Sequence, residues 1–324
     1  MRIRLPRRSI LAAGAALAAP RLAHAAFPDR PLRMILGFGP GGTVDTMARI
    51  VAEAMGRTLG QPVVVENRPG ASNTIAAEAV VRAPADGTTM LAGVFSHAVA
   101  PALVRISYDT LTDLTGVTQM VRTPVFLFAA PNAPFSTVQE LVAAARAAPD
   151  TVTFASGGVG SSAHLAPALL EKRAGIKLTH VPYRGGGEAF QALLAGQVNL
   201  LCDTPQSATR TFLDERRMKA LAVMTPARLP RYPEIPTIGE AGLGEGLEVQ
   251  AWQGVLVRSG TPPEIIDILY RAIRDAMALP ETLARTTALG VEPAVNGPEA
   301  YTAFFRAEVR RWTQVARDVG LTVQ

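Results

Sequence analysis

Short apolar runs alternate with longer segments of helical periodicity along most of the chain. Residues 32–36 read as a strand, and 43–59 place apolar side chains at 44, 47, 50, 51, 54 and 55, one face of a helix. Gly60 follows as a helix-ending glycine would. A β-branched strand at 62–66, a helix at 72–83 with Ser72 as N-cap, and a strand at 88–94 after the Asp86-Gly87 turn complete a first set. A second set opens with the unbroken apolar stretch 125–130, as expected of a strand covered on both faces. Thr137 and Glu140 have capping-box spacing ahead of an alanine-rich helix. Strands at 152–155, 178–181, 200–202 and 220–224 then alternate with helices at 161–173 and 187–195. Residues 225–246 interrupt the pattern with four prolines and four glycines, the composition of a long ordered connection. A strand at 249–257 and a group of helices close the chain. Thr261 reads as the N-cap of the first of these helices, with Pro262 and Pro263 at its start, and the last covers 298–319.

Alternating strand–helix units imply α/β architecture with mostly parallel sheets flanked by helices. Two such sets imply two lobes. We expect 27–124 plus 225–324 to form lobe 1, with the C-terminal helices packing back on it, and 125–224 to form lobe 2.

The first 26 residues stand apart. Arg2, Arg4, Arg7 and Arg8 precede an apolar run too short to span a bilayer, and Ala23 and Ala25 give the small-x-small pattern of a cleavage site. Residues 1–26 therefore read as a secretory signal, and Arg7-Arg8 leaves both twin-arginine and ordinary Sec export open. The chain has 324 residues and carries 32 basic against 27 acidic ones. Removing the five arginines of the first 25 residues leaves 27 of each. That balance, with no basic stripe interleaved with aromatics, argues against nucleic acid as a partner. Past the leader no apolar stretch approaches the ~20 residues of a membrane helix, so a soluble periplasmic protein is expected. Cys202 is the single cysteine, which excludes an intramolecular disulfide. Its run Asn199-Leu200-Leu201-Cys202 suggests a small core residue rather than a reactive thiol.

Three glycine-rich loops link a strand to a helix: Gly37-Phe38-Gly39-Pro40-Gly41-Gly42, Ser156-Gly157-Gly158-Val159-Gly160, and Tyr183-Arg184-Gly185-Gly186-Gly187. Such loops lie at the carboxyl ends of parallel strands, where α/β sheets bind ligands. Helix N-termini there offer unpaired N–H groups and a partial positive charge, suited to phosphate or carboxylate. Thr43, Ser161 and Ser162 can add hydroxyl donors; the alternative is glycines that serve only tight turns. The first loop also spells G-x-G-x-x-G, and Glu66 ends the next strand where a ribose-binding acid would sit. An exported NAD(P)-dependent oxidoreductase using that loop is therefore the rival reading. Against it, Pro40 removes a backbone donor where pyrophosphate must be cradled. His97, His164 and His180 lie in separate segments, with no metal-ligand spacing and no nucleophile–base motif of a hydrolase. His97 and His164 are as suited to structure as to ligand contact, and His180 reads as structural. Asp203 suits either a ligand or water contact or the N-cap of a following helix.

Several motifs occur together in one order: Phe38-Gly39-Pro40-Gly41-Gly42-Thr43-Val44-Asp45, Glu66-Asn67-Arg68-Pro69-Gly70-Ala71, Pro84-Ala85-Asp86-Gly87-Thr88-Thr89, Gly160-Ser161-Ser162-Ala163-His164-Leu165, Val181-Pro182-Tyr183-Arg184-Gly185, and Pro236-Thr237-Ile238-Gly239-Glu240-Ala241-Gly242. In these the chain resembles, over essentially its whole length past the leader, the Bug or tripartite tricarboxylate transporter family of extracytoplasmic substrate-binding proteins. The resemblance implies a two-lobed, type II-like periplasmic-binding-protein fold that closes on a small carboxylated solute: a di- or tricarboxylate, an amino acid or an aromatic acid. It implies no enzyme activity and no cofactor or metal. Its partners would be membrane subunits of such a transporter, or a sensor, and the protein is expected to be a monomer. Carried over, one carboxylate is held by Phe38, Pro40, Gly41, Gly42, Thr43 and Asp45 on one lobe, opposite Ser161, Ser162 and His164, with Asp203 holding water. Ser96 and His97 would contact the distal part of the ligand. Gly37 and Gly39 stand where the family more often has proline or alanine, and Ala100 where asparagine is frequent, which bears on the solute rather than the fold.

Overall fold

The computed structural model describes residues 27–318, apart from 207 and 245, and residue 320. The expected signal segment lies outside them. Two sheets carry the chain. The first has strand order β11-β4-β10-β3-β1-β2, formed by β1 (Leu32–Leu36), β2 (Val63–Asn67), β3 (Thr89–Val94), β4 (Leu114–Pro124), β10 (Gln250–Arg258) and β11 (Glu292–Pro293). The second has order β7-β6-β8-β5-β9, formed by β5 (Phe126–Ala129), β6 (Thr153–Ser156), β7 (Thr179–Pro182), β8 (Leu200–Asp203) and β9 (Lys219–Val223). The parallel pairs β1–β2, β1–β3, β6–β7 and β6–β8 come from the strand–helix units. The strands that pass between the sheets, β4 with β5 and β10, run antiparallel to their neighbours.

Those passages are the centre of the molecule. β4 runs through Val125 directly into β5, and the return passes through Met224 and Val249 into β10. The two crossings lie side by side, with Met224 N–H donating to Val125 O (2.7 Å) and Val249 N–H to Met224 O (3.0 Å). All three side chains are buried.

Helices α1 (Thr43–Leu59), α2 (Thr74–Val81) and α3 (Phe95–Leu103) belong to the first sheet. Those of the second are α4 (Val138–Ala147), α5 (Ser162–Ala174), α6 (Gly186–Leu194) and α7 (Thr209–Asp214). The chain ends in α8 (Pro263–Ala278), α9 (Pro280–Ala288) and α10 (Pro298–Asp318). On α1 the periodic apolar face is what the first sheet buries: Met47, Val51 and Met55 pack with Leu269, Ile273 and Met277 of α8. Each such side chain stabilises the fold by roughly 1.5–3 kcal/mol when fully buried. The other face of the sheet receives α10. Tyr301 lies across three strands where Gly93, Gly116 and Gly254 leave room; a Cβ on Gly254 would stand 2.4 Å from its ring. Further along α10, Trp312 meets Phe95 edge-on at 4.6 Å. Glu308 accepts hydrogen bonds from both Trp252 Nε1 and Trp312 Nε1, each at 3.0 Å. The apolar core on this side is continuous with that of the second sheet.

Four local expectations are corrected. The proline- and glycine-rich stretch, expected with the first sheet, pairs at 236–238 with the second: Val223 N–H donates to Pro236 O and Ile238 N–H to Val223 O, both at 2.9 Å, extending that sheet beyond β9, while Arg231 donates to Thr287 O of α9 at 2.9 Å. Ser72 is no N-cap, because 71–73 form a separate 3-10 turn and α2 begins at Thr74. Asp203 caps no helix: α7 starts six residues later, and Asp203 Oδ1 instead accepts Thr204 N–H at 2.7 Å. Thr261 leads α8 without capping it; its hydroxyl donates to Arg258 O.

Candidate ligand-binding site

The first glycine loop follows β1 and delivers its chain into α1. Gly42 is the N-cap and contributes no side-chain cap bond, so the helix N-terminus is left to other acceptors. Phe38 is half-buried, Pro40, Gly41 and Gly42 are exposed, and Thr43 is half-buried. The positions where Gly39, Gly41 and Gly42 would carry a Cβ face open space. Gly41 has φ +90°, a backbone that favours glycine.

Asp45 has a different place. Its carboxylate is 3% exposed and turned back on the loop, accepting Gly41 N–H at 3.0 Å, Arg49 Nε and Nη2 at 2.9–3.1 Å, and Asn67 Nδ2 at 2.9 Å. Asn67 also donates to Phe38 O (2.9 Å). Burial alone would raise the Asp45 pKa, but the hydrogen bonds from Arg49, Gly41 and Asn67 and the charge of Arg49 together hold it below the usual value. Asp45 thus braces the loop and spends its oxygens doing so. Arg49 did not figure in the sequence reading, and Asn67 did so only as part of the Glu66–Ala71 motif with no site role; the i,i+4 spacing of Asp45 and Arg49 on one helix was the available signal.

On the second sheet, α5 starts at the N-cap Ser161, whose hydroxyl donates to Gly158 O (2.8 Å) rather than capping its own helix. Ser162 is buried. His164 accepts Gly160 N–H through Nδ1 (3.3 Å) and stacks on His180 of β7 at 4.3 Å, with Phe154 beyond at 4.8 Å from His180. His180 Nε2 in turn is 2.6 Å from Ser156 Oγ. Burial lowers the pKa of both imidazoles, and the charge of His180 adds to it at His164, which falls to about 4. His180 is therefore tied to the second loop more closely than its place in a strand suggested. Asp203 Oδ2 lies against the Cα of Gly186, at the start of α6, and a Cβ on Gly157 would be 3.0 Å from Gly186 N. The second and third loops and Asp203 are thus one cluster. Burial raises Asp203 to about 6 despite its bonds from Thr204. It also pushes the thiol of neighbouring Cys202 well up, so that side chain is an unreactive core group.

Ser96 and His97 start α3 and point inward. His97 has 0% exposure; its Nδ1 accepts Val94 N–H (3.0 Å) and its Nε2–H donates to Asn73 O (3.2 Å), fixing a neutral tautomer with a pKa lowered by burial to about 4. Ser96 accepts from Asn73 Nδ2. Both residues therefore bind the 71–73 turn, and both of His97's nitrogens are already engaged. Glu66, the acid a dinucleotide would need, is held by Arg33 and Arg68, and hydrogen bonds led by that of Arg33 bring its pKa to about 2. Among the described residues no group of histidine, cysteine, aspartate and glutamate is placed to hold a metal. No described helix is long and apolar enough to cross a membrane.

Two mixed α/β sheets joined by paired crossover strands, with helix N-termini and glycine loops gathered at strand ends, define the periplasmic-binding-protein class. A family model described as "Tripartite tricarboxylate transporter family receptor" (TctC) matches residues 47–321. BugT of Bordetella pertussis is 34% identical over 317 residues, covering 96% of this chain and 95% of BugT. A Pseudomonas sp. (strain P51) protein from the tcbD-tcbE intergenic region is 38% identical, over 90% of this chain and 86% of its own. Among solved structures, the periplasmic binding protein BugD superposes with TM-score 0.83 at 32% identity, over 92% of this chain and all of BugD. An adipate-bound protein of R. palustris gives 0.84 at 32%, over 92% and 100% of the two chains. MatC from Rhodopseudomonas palustris with bound malate gives 0.80 at 32%, over 89% and 99%. The chain belongs to the TctC/Bug family of tripartite tricarboxylate transporter receptors, which are binding proteins and not enzymes.

Proposed function

We propose that the chain captures a small carboxylated solute in the periplasm and presents it to the membrane subunits of a tripartite tricarboxylate-type transporter or to a sensor. One observation carries this reading: the N-termini of α1, α5 and α6 follow glycine loops and none receives a side-chain cap bond. Their free N–H groups and partial positive charge suit a carboxylate. The contacts would come from Gly42 and Thr43 on one side, and from Ser161 and Ser162 on the other. Asp45 and His164 hold the loops behind those donors, and Asp203 holds water. Relatives that bind adipate and malate support a dicarboxylate. We take 27–124 plus 250–318 as one lobe and 125–249 as the other, with hinge bending at the two crossings; the connection 225–249 is assigned to the second lobe on its backbone hydrogen bonds with Val223 and Met224. The working form is a monomer. The dinucleotide alternative loses its acid to Arg33 and Arg68 and its Gly41 N–H to Asp45.

A thermal-shift panel of mono-, di- and tricarboxylates, amino acids, aromatic acids and NAD(P) tests the reading. A bound solute at 100 times its Kd adds about 2.7 kcal/mol of stability. A carboxylate that raises the melting temperature supports the proposal, and a rise with NAD(P) and none with carboxylates overturns it.

A further inference from the structure

Between β2 and α2 the backbone does something that neither neighbouring element requires. Ala71, Ser72 and Asn73 have φ of 45°, 54° and 72°, three consecutive left-handed residues with side chains, directly after Gly70 at 128°. Side chains disfavour this region, and a run of three persists only when its surroundings over-determine it. Here they do. Asn73 N–H donates to Gly70 O (2.9 Å) and Thr74 Oγ1 to Ala71 O (2.7 Å). The Asn73 side chain donates to Ser96 Oγ, and the Asn73 backbone carbonyl accepts from the fully buried His97. The Asn73 side chain also occupies the space in which Gly37 of the first loop would carry a Cβ. The turn is thus anchored on the first-sheet side and set against the first glycine loop.

Its other side reaches the second sheet. Ser72 Oγ–H donates to Val159 O at 3.1 Å, and Val159 lies in the loop between β6 and α5. Next to it, Leu103 of α3 packs so closely on Gly160 that a Cβ there would be 2.7 Å from its Cδ1. Gly158 O in the same loop accepts from the Ser156 and Ser161 hydroxyls. A rigid, braced turn therefore meets the loop that carries Ser161 and Ser162 through one hydrogen bond and one apolar contact.

We infer that residues 70–73 are a latch between the two sheets, in which the Ser72 hydroxyl is a positioning residue that holds the 156–162 loop against the first glycine loop. The inference rests on the two-lobe division of the proposed function but not on the identity of the solute. The backbone strain keeps Ser72 aimed outward, and the hydrogen bond it makes biases the lobes toward closure before any solute arrives.

The test is made without solute, so its outcome is separate from that of the carboxylate panel. Nitroxide labels at Arg82→Cys on the first-sheet side and Lys177→Cys on the second report the distance between lobes by double electron–electron resonance. Cys202 is buried and leaves the labelling site-specific. In the otherwise unaltered chain a short-distance population is expected. Ser72→Ala should move most of it to longer distance while the melting temperature stays within ordinary error of the parent. Ser72→Gly relieves the strained backbone as well as removing the hydroxyl, and should open the lobes like alanine does. Identical distance distributions in the parent and Ser72→Ala overturn the latch, as does a parent with no short-distance population. So does a closed Ser72→Gly beside an open Ser72→Ala, because backbone relief rather than the hydroxyl would then govern closure.

Discussion

At the scale of single residues, Asp45, His97 and His164 hold the glycine loops and the turn behind the candidate site, through hydrogen bonds with neighbouring backbone and side chains. Asp45 was expected to touch a carboxylate; its oxygens instead accept from Gly41, Arg49 and Asn67. Asp45→Ala should therefore cost about 1–3 kcal/mol of stability in denaturant titrations, through the loss of several hydrogen bonds to one charged acceptor, and should weaken solute binding as well. Unchanged stability would return Asp45 to the role of a direct contact. His164 gives the pH dependence. Its ordinary pKa of 6.5 falls to about 4 in the fold. Between those values the unfolded chain binds a proton that the folded chain does not, so stability is lost as pH falls from 6.5 toward 4 and regained as it rises. Each such histidine contributes a slope of up to about 1.4 kcal/mol per pH unit. His164→Phe keeps an aromatic ring on His180 and should make the stability profile over pH 4–6.5 shallower, with His97 and His180, both also lowered by burial, still contributing. A profile of unchanged slope would show that His164 titrates normally. The sequence located these residues but not their orientation: a histidine or aspartate beside a glycine loop looks the same whether it points to the cleft or to the backbone behind it.

At the scale of elements, periodicity made the regular parts legible and left the irregular ones hidden. The helix at 43–59 and the strand at 32–36 were read to the residue, because α1 and β1 each keep one clear apolar pattern. Helix α3 was not read at all. Its sequence, Phe95-Ser96-His97-Ala98-Val99-Ala100-Pro101-Ala102-Leu103, is nearly all buried and so has no polar face to set a period. The 71–73 turn was mistaken for a helix start, since Ser72 before an apolar run resembles an N-cap and nothing in the residue types announces a left-handed run. The fit of α10 on the first sheet is an element-scale property that can be tested directly. Gly254→Ala inserts a methyl group where the Tyr301 ring already lies, and should destabilise by about 1–3 kcal/mol in chemical unfolding, the usual cost of overpacking. Tyr301→Phe removes a buried hydroxyl that has no hydrogen-bond partner and should be neutral or stabilising by the same measurement. A large loss from Tyr301→Phe would mean that the hydroxyl is satisfied in solution.

At the scale of the whole molecule, the division into two sheets followed from two runs of strand–helix units, and the family from motifs in a fixed order. The point of return was harder to place. Residues 225–249 look like a linker by composition, yet Pro236 and Ile238 add to the edge of the second sheet, and the chain crosses back only at 249–250. Loop composition does not say which sheet a loop will pair with; that depends on which edge is free. Both crossings end up adjacent at Val125, Met224 and Val249, the narrow, buried strip at which the proposed hinge is placed. Trp252 stands three residues beyond that strip, and its indole shares the Glu308 carboxylate with Trp312, the only other tryptophan of the chain. In the proposed hinge, β10 and α10 move together as parts of one lobe, so the shared carboxylate stays in place while the second lobe shifts past Val249, next to Trp252. Tryptophan emission recorded while solute is added therefore tests the proposed hinge with no dye, label or mutation: a change at saturating solute supports bending beside Trp252, and constant emission counts against it.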